Sequence, residues 1–312
     1  MIVICGEALF DVFKEHHSET LTTFPLLAVA GGSPFNVAIG LARLNTPVAL
    51  LTGLSNDFLG QRLKSVLEQE QVNTQYLIPK SAPTTLGFIE HGADGVPHYA
   101  FYGNGAADRV LTTRDTQINL ASVTALHFGS YTTVTEPTAD SFLSLAQSAM
   151  GKCLISYDPN IRPTVEPNMD IWRNRFMQFS ACANLLKISD EDLNLLYPDA
   201  DPKQKAQEWL ARGVDLVLVT RGSKGVWAFN KEHFVEVATP NITVVDTVGA
   251  GDTFQAATLY SLQNIQALTS GSLARLARQD LEDICQFAAK AAAITCTRRG
   301  ADLPRLKEII AL

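Results

Sequence analysis

Short apolar runs recur through the first two thirds of the chain: IVIC, PVALLTG, VTALHFG, CLISYD, ANLLKIS and DLVLVTRG. Each is too short for a core helix and too continuously apolar for a strand with one wet face, so each reads as a strand covered on both sides. Amphipathic segments separate them: PFNVAIGLARL, FLGQRLKSVLEQEQ, ADSFLSLAQSAM, DEDLNLLY and KQKAQEWLARG. Strands apolar on two faces need helices on two faces. The alternation therefore predicts an α/β fold built on a doubly wound, mostly parallel sheet. The C-terminal third turns helical, with TFQAATLYSLQNI and LEDICQFAAKAAAITC. No repeat or low-complexity linker divides the 312 residues, and residues 1–312 are expected to form a single domain.

Several classes of function drop out on composition. Hydrophobic residues make up 46% of the chain, yet no tract approaches the roughly 18 apolar residues of a membrane span. The start, MIVICGEALFDVF, lacks the basic region of a signal peptide. Cys5, Cys153, Cys182, Cys285 and Cys296 are scattered and form no C-x-x-C pair, so they read as reduced core thiols of a cytoplasmic protein. The histidines show no metal-ligand spacing; His16 and His17 are adjacent and cannot face one ligand from a regular element. A formal net charge of −7 without a basic, aromatic-laced stretch argues against nucleic acid.

Two pieces break the alternation. Residues 13–26, FKEHHSETLTTFPL, are polar and β-leaning. Residues 84–102 hold two β-rich runs around a plausible hairpin turn at Asp94-Gly95. Together they suggest a small sheet projecting from the main domain; an ordinary edge hairpin would show the same pattern.

The motif richest in chemistry is DTVGAGDTF, Asp246 to Phe254. Gly249, Ala250 and Gly251 let the backbone approach a ligand, and a helix beginning near Asp252 would aim free N–H groups at the same place. An anion site beside a carboxylate makes sense if the carboxylate takes a proton from an attacking hydroxyl while the amides steady a transferring phosphoryl group. Standing alone, G-A-G-D reads better as a glycine turn with an Asp N-cap. GGSPFNVAIGLARL tips the balance: a second glycine turn, Gly31-Gly32, leads into a helix carrying Asn36, and Asp11 follows the first strand. DPNIRP, Asp158 to Pro163, again puts polar groups at a strand's C-terminal end.

With both glycine motifs present, in order and about 210 residues apart, the chain resembles the ribokinase family, the phosphofructokinase-B carbohydrate kinases, along essentially its whole length. The resemblance implies a ribokinase-like fold with a small β lid, formed by about 13–26 and 84–103. It implies an ATP-dependent sugar kinase that uses Mg2+ and K+. Asp252 corresponds to the catalytic base, and the amides of Gly249, Ala250 and Gly251 to the anion hole. Asp11, Gly31, Gly32, Asn36, Phe101 and Arg162, with Asp252, fall at sugar-binding positions. Lys187, Ser189, Thr220, Gly222, Gly225 and Gly251 fall along the ATP site. Asp246 and the carbonyls of Val248, Thr295 and Gly300 are the potassium candidates. One departure stands out. The family often carries N-x-x-E where this chain reads SDED, so Ser189 replaces Asn and Asp192 replaces Glu; a Ser N-cap before an acidic helical turn has the same look.

Rival classes fail on motif. A P-loop needs G-x-x-x-x-G-K-[ST], but the only Gly-Lys pair, Gly151-Lys152, precedes Cys153. A dinucleotide fold needs G-x-G-x-x-G after the first strand, where Gly6 is followed by Glu7 and Ala8. A silent sugar-binding member of the fold remains, set against the intact G-A-G-D. Among kinases, DPNIRP and SDED resemble fructokinases and 2-keto-3-deoxygluconate kinases. The latter bind a carboxylate, for which an arginine at the lid–core junction is expected; this chain has Gly103 there, with Arg109 and Arg162 nearby. D-fructose is the expected substrate. Phe24, Phe88 and Phe101 are expected to line an exposed apolar face of the lid that pairs two chains into a homodimer.

Overall fold

The apolar runs become the parallel strands of one large sheet. The structure is a computed structural model describing residues 1–14, 20, 22–91, 97–269 and 271–311. In chain order the strands are β1 (Ile2–Cys5), β2 (Leu9–Lys14), β3 (Leu26–Gly31), β4 (Val48–Ser55), β5 (Leu77–Lys80), β6 (Leu86–His91), β7 (Pro97–Tyr102), β8 (Ala125–Gly129), β9 (Leu154–Asp158), β10 (Leu185–Ser189), β11 (Leu216–Thr220), β12 (Val226–Phe229) and β13 (Phe234–Val237). The helices are α1 (Ser33–Arg43), α2 (Phe58–Gln69), α3 (Thr138–Ala149), α4 (Met169–Ser180), α5 (Asp190–Leu196), α6 (Pro202–Ala211), α7 (Ala250–Asn264), α8 (Arg278–Cys296) and α9 (Leu306–Ile310).

The large sheet runs β13-β12-β11-β10-β9-β8-β1-β4-β5. From β11 to β5 all neighbours are parallel; β12 and β13 append an antiparallel hairpin. Side chains alternate across each strand. Ile2 and Ile4 therefore join one core with α1, α2, α7, α8 and α9, while Val3 and Cys5 join the other with α3, α4, α5 and α6. The strand order turns back beside β1, and a crevice at the carboxyl ends of such strands is where a doubly wound sheet binds ligands. Ser130, Asp158, Ser189 and Thr220 stand at or just beyond those ends. Among the described residues no helix is long and apolar enough to cross a membrane.

A second sheet, β3-β2-β6-β7, joins the insertions after β1 and β5. Its composition corrects two expectations. The strands β2 and β3 overlap the segment 13–26 only at Phe13, Lys14 and Leu26, because their apolar runs lie mostly before it, from Leu9, and after it, to Gly31. The Asp94-Gly95 turn, like His16 and His17, lies outside the described residues. The exposed apolar face also differs. Phe24 is exposed as expected, but Phe88 and Phe101 are half-buried, packed on the two cores and against the rings of Tyr102 and Tyr131. Among the described residues of the small sheet, the uncovered apolar side chains are Leu26, Leu27 and Val29 on the edge strand β3, together with Tyr102. Helix α4 and strands β5, β12 and β13 are not among the segments read from the sequence.

Candidate active site

The carboxylate of Asp252 decides between its two readings. Helix α7 begins at Ala250, with Gly249 as a left-handed N-cap at φ 78 and no side-chain cap. A Cβ at Gly249 would fall 2.7 Å from that of Ala301, so the position admits no other residue. Asp252 is therefore the third helical residue, not the cap, and its side chain is free for other work. It faces α1: Ser33 Oγ donates to Oδ1 at 2.6 Å and Asn36 Nδ2 donates to Oδ2 at 2.8 Å. Ser33 and Asn36 reach it together because residues three apart share a helix face. Burial raises the Asp252 pKa, held back by these two hydrogen bonds and by Lys187 and Arg162. The Ala250 amide turns back to the Thr247 carbonyl at 3.2 Å. Of the expected donors it is thus engaged, while the first-turn amides after it have no partner within the helix.

Asn36 was expected at the sugar. Its amide donates to Asp252, and Ser33, unremarked in the sequence, does the same. The turn feeding α1 is equally constrained. Gly32 has φ 106 and packs on Glu7, 3.1 Å from the backbone oxygen to where a Cβ would stand. Asp11 does not simply follow the first strand; it sits within β2, opposite Val29 and Gly87. Its carboxylate lies where side chains at Gly31 and Gly87 would be, 2.7 and 3.1 Å from their Cβ positions, so both glycines make room for it. Burial lifts Asp11 to about 6, with Arg162 pulling down and Asp252 pushing up.

The DPNIRP and SDED segments meet behind this pair. Lys187 Nζ and Asp158 Oδ2 form a buried ion pair at 2.7 Å, and the ammonium lies 3.2 Å from where a Cβ of Gly251 would be. Burial would discharge Lys187; Asp158, with Asp192 and Asp252, more than reverses this. Asp158 Oδ1 is buried without a partner. Ser189 caps α5 by accepting the Asp192 amide hydrogen at 3.0 Å, so the capping reading of SDED holds geometrically. Asp192 accepts from the Ile161 amide and is raised by burial and Asp158 to about 6. Arg162 is the shared counter-charge, lowering Glu7, Asp11, Asp192 and Asp252 alike.

Two loops cross-link beside α7. Asp246 accepts from the amides of Val248 at 3.0 Å and Gly300 at 2.8 Å, and the Val245 and Asp246 amides both donate to the Cys296 carbonyl. Thr295 and Thr253 hydroxyls meet at 2.8 Å. Of the four potassium candidates, Asp246 thus meets the backbone of Val248 and Gly300, while the Thr295 carbonyl accepts from the Arg298 amide at 3.0 Å and the Gly300 carbonyl from the Asp302 amide at 2.9 Å. Along the expected ATP strip, Thr220 ends β11 and Gly222 faces open space. Gly225 is demanded by its turn, with φ 90 and Val237 against it. Among the described residues no cluster of His, Cys, Asp or Glu is placed to hold a metal by protein ligands alone.

Sequence reasoning gave no role to Glu7 or Asp108 and named Arg109 only as a remaining arginine near the lid–core junction. Glu7 is fully buried, accepts from Thr132 Oγ1 at 3.3 Å and is raised to about 7 chiefly by burial. Gly103 reads in the sequence as a position without charge, yet the Arg109 guanidinium lies directly against it. Only a polar residue with no surface role, flagged by its apolar neighbours in GEALF and AADRV, hinted at either.

The pfkB family carbohydrate kinase model matches residues 1–308. A fructokinase of Rhizobium leguminosarum bv. trifolii is 36% identical over 91% of this chain and 86% of its own. Fructokinase-2 of Solanum habrochaites is 31% identical over 100% and 95%. Among solved structures, a fructokinase of Xylella fastidiosa with bound ATP superposes with a TM-score of 0.89 at 27% identity, covering 99% of this chain and 97% of that one. A fructokinase double mutant of Vibrio cholerae O395, bound to fructose, ADP and potassium, shares the fold with a TM-score of 0.85 at 23% identity, covering 99% and 97%.

Proposed function

Since the chain belongs to the pfkB family of carbohydrate kinases, we propose that it transfers the γ-phosphoryl group of ATP to a hydroxyl of D-fructose. The observation that carries this reading is the long match to fructokinases together with a base, Asp252, whose two oxygens are oriented by Ser33 and Asn36 at the mouth of α7. Each carboxylate oxygen keeps an unused lone pair for the sugar hydroxyl. As the hydroxyl oxygen attacks, its proton passes to Asp252, and the α7 amides with Lys187 balance the charge gathering on the phosphoryl oxygens. Asp158, already paired with Lys187, fixes the height of that ammonium above Gly251.

Magnesium, arriving with ATP, supplies charge neutralisation on the phosphates; Asp158 Oδ1 and Asp192 are the carboxylates that would hold its water shell in place of the Asn and Glu this chain lacks. Potassium would sit at the junction of Asp246, Val248, Thr295 and Gly300, where it would brace the loop before Gly249. The small sheet serves as a lid that keeps water from the sugar, and its exposed β3 edge pairs with a second copy to make a homodimer. Free cysteines throughout suit a cytoplasmic setting. The test is a coupled ADP-release assay across a sugar panel, run with potassium and again with a large organic cation. Fructose should lead the panel and potassium should raise its rate. A tenfold or greater preference for 2-keto-3-deoxygluconate refutes the fructose reading, and no turnover with any sugar favours a silent binding member of the fold.

A further inference from the structure

Residues 300–303, in the connection between α8 and α9, lie as a strap across α1 and α7. The Gly300 amide donates to Asp246 at 2.8 Å. Ala301 packs on Gly249, its Cβ 2.7 Å from where a side chain there would begin. Leu303 is buried in the notch left by Gly40 of α1, where a Cβ would fall 2.6 Å from Leu303 Cδ2 and 2.8 Å from Ala256 of α7. The turn that opens α7 is therefore held from outside at both ends, at Asp246 by a hydrogen bond and at Gly249 by contact.

One side chain of α1 fastens this strap. Arg43 stands in the last helical turn, and its Nη1 donates to the Asp302 carboxylate at 2.9 Å and to the Leu303 carbonyl at 2.6 Å. The other edge of the guanidinium is clamped, with Nε and Nη2 donating to the two oxygens of Glu70 at 3.1 and 2.7 Å. A fork bound along one edge is fixed in its plane, and that aims Nη1 at the strap. The Arg43 side chain is only 18% exposed, so these bonds are screened less than those of a surface ion pair. Arg298 also approaches Asp302, at 3.5 Å, but from four residues earlier in the chain and not from α1.

The turn under the strap leads into the Gly251 and Asp252 amides, which have no partner within α7, and into the Asp252 carboxylate. Such donors stabilise developing charge only while they stay aimed, and a drift of about 1 Å can cost on the order of 100-fold in rate. Helix α1 brings Ser33 and Asn36 to that carboxylate from its first turn. From its last turn, the same helix holds the strap.

We propose that Arg43 is a positioning residue for phosphoryl transfer: through its bonds to Asp302 and Leu303 it holds the 300–303 strap on the turn before α7, and so keeps the anion-binding amides in register with the Asp252 carboxylate. The inference rests on the sugar-kinase reading above.

The test is steady-state kinetics, well below the melting temperature, on Arg43→Met, Arg43→Lys, Asp302→Ala and Arg305→Met. Arg43→Met should lower kcat roughly 10- to 100-fold, as misaimed donors do, with the KM values for sugar and ATP within about threefold. Arg43→Lys keeps the charge but not the fork and should lose nearly as much. Asp302→Ala removes one of the two strap bonds and should lose less; joined to Arg43→Met it should add nothing. Arg305→Met is the control: Arg305 also pairs with Glu70, at 3.0 Å, and its loss should leave kcat within about twofold. Hydrogen exchange reads the same idea without turnover. Peptides covering 246–254 should exchange at least about tenfold faster in Arg43→Met, while those covering β8 to β11 stay as protected as in wild type. A kcat within about twofold of wild type in folded Arg43→Met overturns the proposal, and so does unchanged exchange over 246–254. Faster exchange across the whole sheet overturns it as well, since Arg43 would then be a general prop. An equal loss of kcat in Arg305→Met would assign the effect to the Glu70 charge cluster and not to the strap. Wild-type protein that turns over no sugar refutes the sugar-kinase reading alone, and exchange then decides whether Arg43 positions the turn.

Discussion

Glu7→Gln should stabilise the ligand-free protein above neutral pH and change little in mild acid. Burial, opposed by Ser130 and Arg162 and helped by Asp108, lifts the Glu7 carboxyl from 4.5 to about 7. Between those values the folded state holds a proton that the unfolded chain has released. The folded state then binds more protons, so stability falls as pH rises through this window and the loss is complete above the folded value. A difference of about 2.5 pKa units amounts to about 3 kcal/mol at pH 8.5, and to less than about 1 kcal/mol at pH 5. Glutamine keeps the shape and an acceptor for Thr132 Oγ1 but never ionises. At roughly 2 °C per kcal/mol for a chain of this size, the variant should melt about 5 °C higher than wild type at pH 8.5 and within about 2 °C at pH 5. Asp11 and Asp192, both raised to about 6, slope the same way in the two proteins and cancel in the difference. The assay is paired melts at the two pH values without sugar or nucleotide. A melting-temperature difference that is the same at both, or a variant less stable at pH 8.5, refutes the reasoning.

Asp252→Asn should lower kcat by at least about 100-fold, as removal of a general base does, with no loss of melting temperature; near-normal kcat in the folded variant would end its assignment as the base. In a pH profile, kcat/KM for fructose should fall as pH drops through about 6, where Asp11 takes up its proton, and Asp11→Asn should abolish sugar turnover at every pH; a flat profile down to pH 5 would count against a charged Asp11 at the sugar. Val29→Lys on the exposed β3 edge should convert dimer to monomer in light scattering at micromolar concentration; wild type that is already monomeric removes the edge pairing.

The alternation of buried strands and amphipathic helices was legible because it is written in contiguous residues with a period of their own. The parallel strands with strong apolar runs, and the helices α1, α2, α3, α5 and α6 beside them, follow from that pattern. The glycine turns at Gly32 and Gly249 were legible for a similar reason: clustered glycines mark a turn with positive φ, and each is followed by the start of a helix. What the string could not show is which distant side chain stands next to which. That the Asp252 carboxylate meets Ser33 and Asn36, 219 and 216 residues away, is invisible in the string. The small sheet's true strands, β2 and β3, were misplaced because pairing across insertions, not local composition, ends a strand. Gly103 read as a missing charge, yet the fold lays Arg109 against it, six residues on, in the space a side chain would have filled. The raised pKa values of Glu7, Asp11 and Asp192 belong wholly to tertiary structure. A carboxyl's identity is local, but its desolvation and the single shared Arg162 are properties of the closed crevice.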